Sequence, residues 1–216
     1  MKLYIYDHCP FCVKARMIFG LKDIPVKLEY LLNDDEKTPI SMVGKKMLPI
    51  LQKEDGSFMP ESLDIVEYID AYDGKPLLTG PTNPQIDAWL RKVSDYVYRR
   101  LVMPRLSRAP FEEFATPAAR DYFINKKQAQ GGDFEELLSH SAGLIKNISN
   151  DLKDLEPLIV QANACNGELS MDDIHLFPLL RALTIVNGVS VPSKVADYRD
   201  NMAKQTHIPL LSGMAQ

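Results

Sequence analysis

The amino-acid sequence predicts an α/β domain followed by an all-helical domain. The first 72 residues contain short strand-like and helical stretches in the order βαβ, a short helix, then ββα. Residues 73–84 then hold five glycines and prolines, which interrupt regular structure and are typical of a linker. Only helical patterns follow. We therefore place the domains at residues 1–72 and 85–216, with a linker over 73–84.

The first domain is predicted to open with a parallel βαβ unit. Residues 2–6 alternate in polarity and are rich in tyrosine and isoleucine, which favours a strand. Pro10 suits the first position of a helix that ends near Gly20, and a second strand follows over 26–31. The remaining predicted elements are a short helix over 38–44, strands over 50–53 and 57–59 joined by an Asp55–Gly56 turn, and a helix over 62–72.

The second domain is predicted to contain helices only. Ser170 and Asp173 have the spacing of a capping box, in which each side chain satisfies a backbone N–H at the helix start. Trp89, the single tryptophan, is expected to pack the first long helix into the core. The predicted helices cover residues 85–107, 117–129, 134–155, 170–183 and 192–206.

Composition and charge exclude several functional classes. Hydrophobic residues make up 45% of the chain and charged residues 25%, which are ordinary globular values. The net charge is −4 and neither part of the chain is basic, so a nucleic-acid partner is not expected. We see neither a secretory signal peptide nor an apolar run that could span a bilayer, and we therefore expect a cytoplasmic protein.

The strongest chemical signal is the motif Cys9-Pro10-Phe11-Cys12 between the first strand and the first helix. If Cys9 caps that helix, Cys12 lies one turn further on the same face, close enough for a disulfide. The amides of Phe11 and Cys12 and the positive helix end then favour a thiolate at Cys9. Lys14 and Arg16 are expected to add positive charge nearby. Such sites lower a cysteine pKa from about 8.5 to about 3.5–7.5.

These properties predict a redox pair in which Cys9 attacks and Cys12 resolves the mixed disulfide. A zinc site is the first alternative, but zinc requires four ligands. Cys165 stands alone in a loop-like stretch, and apart from His8 the histidines are far from the motif. Two buried structural thiols are the second alternative, although a CxxC at the turn of a βαβ unit is typical of redox chemistry.

Two further motifs allow both a structural and a functional interpretation. Pro49 can simply begin a strand, or a cis bond before it can present the Leu48 backbone to a peptide-like thiol. Ser62, with Glu61 before it, can cap a helix. Alternatively, the free amides at this helix start bind a carboxylate with the Ser62 hydroxyl, while Glu61 binds an ammonium group. A γ-glutamyl group carries both charges.

The whole chain resembles the long, two-domain glutaredoxins, whose architecture is that of cytosolic glutathione transferases. The resemblance extends from Met1 to the C-terminus. The segments that carry it are MKLYIYDHCP at residues 1–10, LPIL at 48–51, MPES at 59–62, GKPLL at 74–78 and VADYRD at 195–200.

The resemblance implies a thioredoxin-like first domain, a helical second domain and glutathione as the reductant. It also implies that Cys9 is the nucleophile and Cys12 its partner. Many glutaredoxins have tyrosine between the proline and the second cysteine, where this chain has Phe11, so an aromatic ring is retained there. The glutathione-binding residues that it implies are Leu48, a cis Pro49, Glu61 and Ser62, with Phe11 beside the cysteines.

We therefore expect a glutathione-dependent thiol–disulfide oxidoreductase that needs no metal. Its expected partners are glutathione and proteins that contain disulfides or are glutathionylated, and we expect a monomer. A glutathione transferase or a dehydroascorbate-reductase-like enzyme on the same scaffold is the first alternative. A non-enzymatic binding module whose thiols act as a sensor is the second.

Overall fold

The computed structural model describes residues 1–216, which fold into two compact units. The first unit comprises Met1–Pro76, Pro110–Asn125 and Thr206–Ile208, and the second comprises Leu77–Ala109, Lys126–Gln205 and Pro209–Gln216. The units therefore interleave along the chain. The contiguous domains over 1–72 and 85–216 stay a prediction.

The first unit is built on a four-stranded mixed sheet in the order β2-β1-β3-β4. Strand β1 pairs parallel with β2 and antiparallel with β3, and β3 pairs antiparallel with β4. The predicted order of elements is confirmed. Their bounds are β1 Lys2–Ile5, α1 Pro10–Leu21, β2 Lys27–Tyr30, α2 Lys37–Val43, β3 Ile50–Gln52, β4 Phe58–Pro60 and α3 Ser62–Asp70.

The core of this unit lies between the sheet and two helices. Leu3 and Ile5 of β1 are fully buried, as the alternation predicts. Helix α1 packs against α3, which buries Ile65 and Ile69. The helix predicted over 62–72 is shorter in the structure, because α3 ends at Asp70, and Tyr72 is exposed beside Tyr68.

Gly20 serves a close approach. Helix α1 runs one residue past it to Leu21, and the backbone of Thr206 lies against its Cα. A side chain at this position would collide with the carbonyl group of Thr206, which has no freedom to turn away. Glycine therefore lets Thr206–Ile208 pack on α1 within the first unit.

The second unit is helical throughout its regular structure, as predicted. Trp89 is buried and donates a hydrogen bond from Nε1 to the Asp151 carbonyl oxygen at 2.6 Å. No helix in the structure is both long and apolar enough to cross a membrane. The remaining α-helices of the chain are α4 Pro84–Tyr96, α5 Met103–Leu106, α6 Pro117–Gly131, α7 Phe134–Ser139, α8 Ala142–Leu155, α9 Met171–Leu183 and α10 Ser193–Thr206.

Two predicted helices differ in detail. The segment predicted over 85–107 is helical, but its middle, Val97–Val102, is π-helical. The prediction of one helix over 134–155 is wrong, because the chain leaves the helical conformation at His140. The hydroxyls of Ser139 and Ser141 donate to the carbonyl oxygens of Glu136 and Leu138 there. Such local bonds compete with the helical hydrogen-bond pattern.

The capping box at α9 is confirmed. Ser170 caps the helix, and its backbone N–H donates to Asp173 Oδ2 at 2.9 Å. The other oxygen, Oδ1, accepts from the Tyr198 hydroxyl and from the Cys165 backbone N–H, each at 2.8 Å. Asp173 is fully buried, so one carboxylate connects the helix start, α10 and the Cys165 loop.

Candidate active site

Cys9 and Cys12 lie at the start of α1. Cys9 is the N-cap residue, with an extended backbone, and its carbonyl oxygen accepts the first helical hydrogen bond from Val13 at 3.0 Å. Pro10 occupies the first helical turn, where its missing N–H costs nothing. Both cysteines are free thiols; Cys9 is half-buried and Cys12 is fully buried. Cys9 is therefore the more exposed of the two cysteine residues.

The two thiols have opposite proton affinities. A hydrogen bond from the Cys12 thiol lowers the pKa of Cys9 to about 6, and the charge of His8 and the amides of Cys12 and Phe11 act in the same direction against burial. Burial, followed by the interaction with Cys9, raises the pKa of Cys12 well above its ordinary value. The Tyr6 N–H donates to Cys12 Sγ at 3.4 Å. Near neutral pH this arrangement holds a thiolate at Cys9 and a thiol at Cys12.

Of the two cationic side chains expected near Cys9, only Lys14 interacts with it. The Lys14 amine lies 5.4 Å from the Phe11 ring centre. Burial lowers the pKa of Lys14, and attraction to Cys9 opposes that change. Arg16 instead donates to the Asp7 carboxylate, which compensates its charge. The expectation that Arg16 adds positive potential at Cys9 therefore finds no support in this geometry.

The peptide bond between Leu48 and Pro49 is cis. Pro49 is buried and directly precedes β3, whose ladder with β4 begins at the pair Ile50–Pro60. The Leu48 backbone therefore lies just outside the ladder. This geometry is compatible with both interpretations of the motif, a strand start and a backbone surface for a peptide-like ligand.

Glu61, not Ser62, occupies the cap position of α3. Glu61 has a positive φ of 69° and its side chain makes no capping hydrogen bond. Its Oε1 atom instead accepts from Lys45 Nζ at 3.3 Å in an exposed pair. Ser62 is the first helical residue and is buried. No side chain caps the amides of this helix start, so they can bind an anion.

Phe11 is the exposed residue of the motif. Its side chain is 55% exposed, although large apolar side chains are usually buried. It lies between the two cysteines in the chain, with Lys14 against its ring. The ring therefore forms an apolar surface with an adjacent positive charge.

A histidine–carboxylate contact that was not predicted from the sequence lies next to the motif. His8 Nδ1 lies 2.6 Å from Glu113 Oε1, and the His8 backbone N–H donates to the same oxygen at 3.0 Å. From the sequence, His8 is a candidate zinc ligand only, and Glu113 carries no prediction. No group of three or more His, Cys, Asp or Glu side chains in the structure is arranged to hold a metal ion. Since 105 residues separate the two partners, no local pattern could have revealed the pair.

Comparisons with known proteins identify the family. Residues 3–76 match the glutathione S-transferase N-terminal domain, and residues 85–215 match the glutaredoxin 2 C-terminal domain. The chain is 66% identical to glutaredoxin 2 of Escherichia coli strain K12 over 215 residues, covering 100% of both proteins. Glutathione S-transferase 2 of Saccharomyces cerevisiae is 32% identical over 89 residues, 38% of each chain.

Solved structures agree with this assignment. A crystal structure of glutaredoxin 2 from Salmonella typhimurium in complex with glutathione has a TM-score of 0.98 and 67% identity. That match covers 100% of this chain and 98% of the other. Gtt2 from Saccharomyces cerevisiae, at 18% identity and a TM-score of 0.56 over 99% and 100% of the chains, shares the fold. The chain therefore belongs to the glutaredoxin 2 family.

Proposed function

We propose that this glutaredoxin reduces disulfides with glutathione, using Cys9 as the nucleophile and Cys12 as the resolving thiol. The observation that carries the proposal is the contrast between the two sulfurs. Cys9 is half-buried at a helix start with a pKa of about 6, and Cys12 is buried with a raised pKa. A thiolate is the reactive form in disulfide exchange, so the accessible cysteine is the one that attacks.

In the two-thiol route, the Cys9 thiolate attacks one sulfur of a protein disulfide and expels the other as a thiolate. Cys12 then loses its proton and attacks the Cys9 sulfur. This releases the reduced substrate and leaves a Cys9–Cys12 disulfide. Two glutathione thiols restore the reduced pair, and they leave as one molecule of glutathione disulfide.

In the one-thiol route, Cys9 acts alone on a glutathione mixed disulfide. Its thiolate attacks the glutathione sulfur and releases the substrate thiolate. A second glutathione thiolate then attacks the glutathione sulfur bound to Cys9, which frees Cys9 and forms glutathione disulfide. Cys12 is dispensable in this route because no Cys9–Cys12 disulfide forms.

The same proposal assigns the glutathione contacts. The Leu48 backbone, beside cis Pro49 and outside the strand ladder, pairs with the cysteinyl part of glutathione. The uncapped start of α3 binds the γ-glutamyl carboxylate with Ser62, and Glu61 binds its ammonium group. Phe11 contributes an apolar surface beside the reacting sulfur.

The expected partners and location follow from this chemistry. Because Cys9 turns over only when it is returned to the thiolate, we place the enzyme in a reducing, cytoplasmic environment. Its macromolecular substrates are proteins with disulfides or glutathione adducts, and it acts as a monomer.

The test is glutathione-coupled reduction of a small glutathione mixed disulfide, followed through glutathione reductase and NADPH. We expect Cys9→Ser to abolish turnover and Cys12→Ser to keep substantial activity. Cys165→Ser, which removes the third cysteine, is the matched control and should behave as the wild type. Full activity of Cys9→Ser would contradict the proposal. Conjugation of a model electrophile that survives in Cys9→Ser would indicate a transferase instead.

A further inference from the structure

Glu113 is a buried carboxylate that the disulfide exchange described above does not use. It is fully buried, and its Oε1 atom accepts two hydrogen bonds from His8, one from the backbone and one from the ring. Its other oxygen, Oε2, is buried without a hydrogen-bond partner. A buried charge is costly unless it is compensated. The hydrogen bonds that the Glu113 carboxylate accepts therefore come from His8, the residue that precedes Cys9.

The His8 ring is held in one orientation by an aromatic cage. The Tyr6 ring stacks on the His8 ring, with 5.7 Å between ring centres and an interplanar angle of 8°. The Phe114 ring also stacks on it, with 5.1 Å between centres and an angle of 23°. The Phe123 ring contacts the His8 ring edge to face, with 5.1 Å between ring centres and an interplanar angle of 74°. The His8 side chain is only 10% exposed. The cage keeps Nδ1 on Glu113.

The pair acts on the two cysteines with opposite signs. After the hydrogen bond from Cys12, His8 is the largest side-chain charge effect that lowers the pKa of Cys9. After burial and Cys9, Glu113 is a further cause that raises the pKa of Cys12. His8 therefore favours the attacking thiolate, while Glu113 disfavours a thiolate at the resolving position.

We propose that Glu113 is a positioning residue of the thiol site: its buried carboxylate holds the His8 imidazole beside the motif, where the ring favours the Cys9 thiolate. The inference rests on the proposed function, because it concerns the same two sulfurs. The segment Glu112–Phe114 also fixes the carboxylate in place. The Glu113 carbonyl oxygen accepts from the Asn33 N–H at 2.9 Å, so the backbone is anchored independently of the side chain.

Other ionisable groups surround this pair and must stay unchanged in the test. The Tyr6 hydroxyl is buried without a hydrogen-bond partner, and burial, followed by the charges of both cysteines, Asp35 and Glu113, raises its pKa. On α1, Lys14 interacts with Cys9, and Arg16 is paired with Asp7. None of these residues is altered in the variants below, so their contributions are constant.

The test measures the pH dependence of alkylation of each cysteine in the full chain. The reduced protein is treated with iodoacetamide, and the labelled peptides are quantified by mass spectrometry. Glu113→Gln keeps the size and the acceptor oxygen but removes the charge. We expect it to raise the midpoint of the pH profile of Cys9 alkylation by about one pH unit and to lower the corresponding midpoint of Cys12. Glu112→Gln, at the exposed neighbouring position, should leave both midpoints unchanged. An unchanged Cys9 midpoint in Glu113→Gln would overturn the inference.

A second variant tests whether Glu113 acts through His8. His8→Gln should raise the Cys9 midpoint, and Glu113→Gln added to it should cause no further rise. A further rise of similar size would show that the carboxylate acts by another path and would overturn the inference. Alkylation needs no glutathione. If the enzyme fails the turnover test but shows these midpoint shifts, only the proposed function is contradicted and the inference about Glu113 stands.

A measurement on the unaltered chain guards against a variant that does not fold. In the wild type, the NMR signals of the His8 ring should shift as Cys9 ionises. In Cys9→Ser that step should disappear. Ring signals that show no step at the Cys9 midpoint would overturn the inference without any change at Glu113.

Discussion

The starts of helices α1 and α9 each have a cysteine against them, with opposite chemical results. At α1, Cys9 is itself the N-cap, no side chain makes a capping hydrogen bond, and the first turn contains no acidic residue. At α9, Ser170 and Asp173 complete a capping box, and Asp172 adds a second carboxylate to the first turn. Both helix starts offer positive potential. At α1 this potential can stabilise a thiolate, whereas at α9 it already stabilises carboxylates.

Cys165 shows the consequence at α9. Its backbone N–H donates to Asp173 Oδ1, and its side chain is fully buried. Burial, followed by the Asp173 charge, raises the pKa of Cys165, whereas the pKa of Cys9 falls to about 6. The difference teaches that nearness to a helix start does not activate a cysteine. At Cys165, burial and the Asp173 carboxylate together outweigh the positive helix end.

The largest expected effect comes from removing the carboxylate at α9. Asp173→Ala leaves three donors without their acceptor, namely the Ser170 and Cys165 amides and the Tyr198 hydroxyl. Each buried unsatisfied group costs about 1–3 kcal/mol, so with three of them we expect the free energy of unfolding to fall by about 3 kcal/mol or more. Urea unfolding of the reduced protein measures it.

The matched control for this prediction is Asp197→Ala. This residue is an exposed aspartate on α10, one position before Tyr198. A surface change of this kind should alter the free energy of unfolding by less than about 0.5 kcal/mol. Equal losses in both variants would mean that the capping box contributes nothing beyond a surface charge.

The Cys9 thiolate should make stability depend on pH, with an effect of roughly 2–4 kcal/mol. Its pKa is about 6 in the folded chain and about 8.5 in the unfolded chain. A lowered pKa stabilises the fold above the unfolded value, and this stability is lost as the pH falls toward 6. The free energy of unfolding of the reduced wild type should therefore rise between pH 6 and 8.5, relative to Cys9→Ser.

Cys165→Ser is the control for this pH dependence. The pKa of Cys165 is raised, so its thiol stays neutral over this range in the folded chain, and replacing it should leave the rise intact. The Cys12 thiol also stays neutral over this range because its pKa is raised, but Cys12 is not a control, since its hydrogen bond is the main cause of the lowered pKa of Cys9. A rise of equal size in wild type and Cys9→Ser would contradict the low pKa of Cys9.

The same contrast explains what could be predicted from the sequence. The cap at Cys9, Pro10 in the first turn and the capping box at Ser170 are local patterns, and each was predicted where the structure has it. The order of strands and helices in the first 72 residues was predicted for the same reason, since periodicity and turn residues act over a few positions.

Features that depend on distant contacts could not be predicted. Glu113 reaches His8 from more than a hundred positions away, and Arg16 is compensated by Asp7 through the fold of the βαβ turn. At the helix break at His140, the neighbouring serine hydroxyls donate hydrogen bonds to backbone carbonyl oxygens. The periodicity of apolar residues does not predict these side-chain to backbone bonds. The site was therefore predictable in its sulfurs but not in its surrounding charges.

The smallest expected effect is also the most direct test of the comparison between the two helix starts. Phe11→Asp places a carboxylate at the second position of α1, where α9 has Asp172. Phe11 is 55% exposed, so the change should not disturb the core. The new charge should raise the Cys9 pKa by roughly 0.5–1 unit, because it competes for the same positive helix end. The pH profile of Cys9 alkylation measures this shift.

Phe11→Asn separates charge from the loss of the ring. It matches aspartate in size and also removes the contact with Lys14, but it brings no negative charge. We expect its Cys9 midpoint to stay close to that of the wild type. If both variants shift the midpoint equally, the ring and its lysine set the Cys9 pKa. If only aspartate shifts it, a single carboxylate is enough to move the α1 start toward the unreactive state that Cys165 has beside α9.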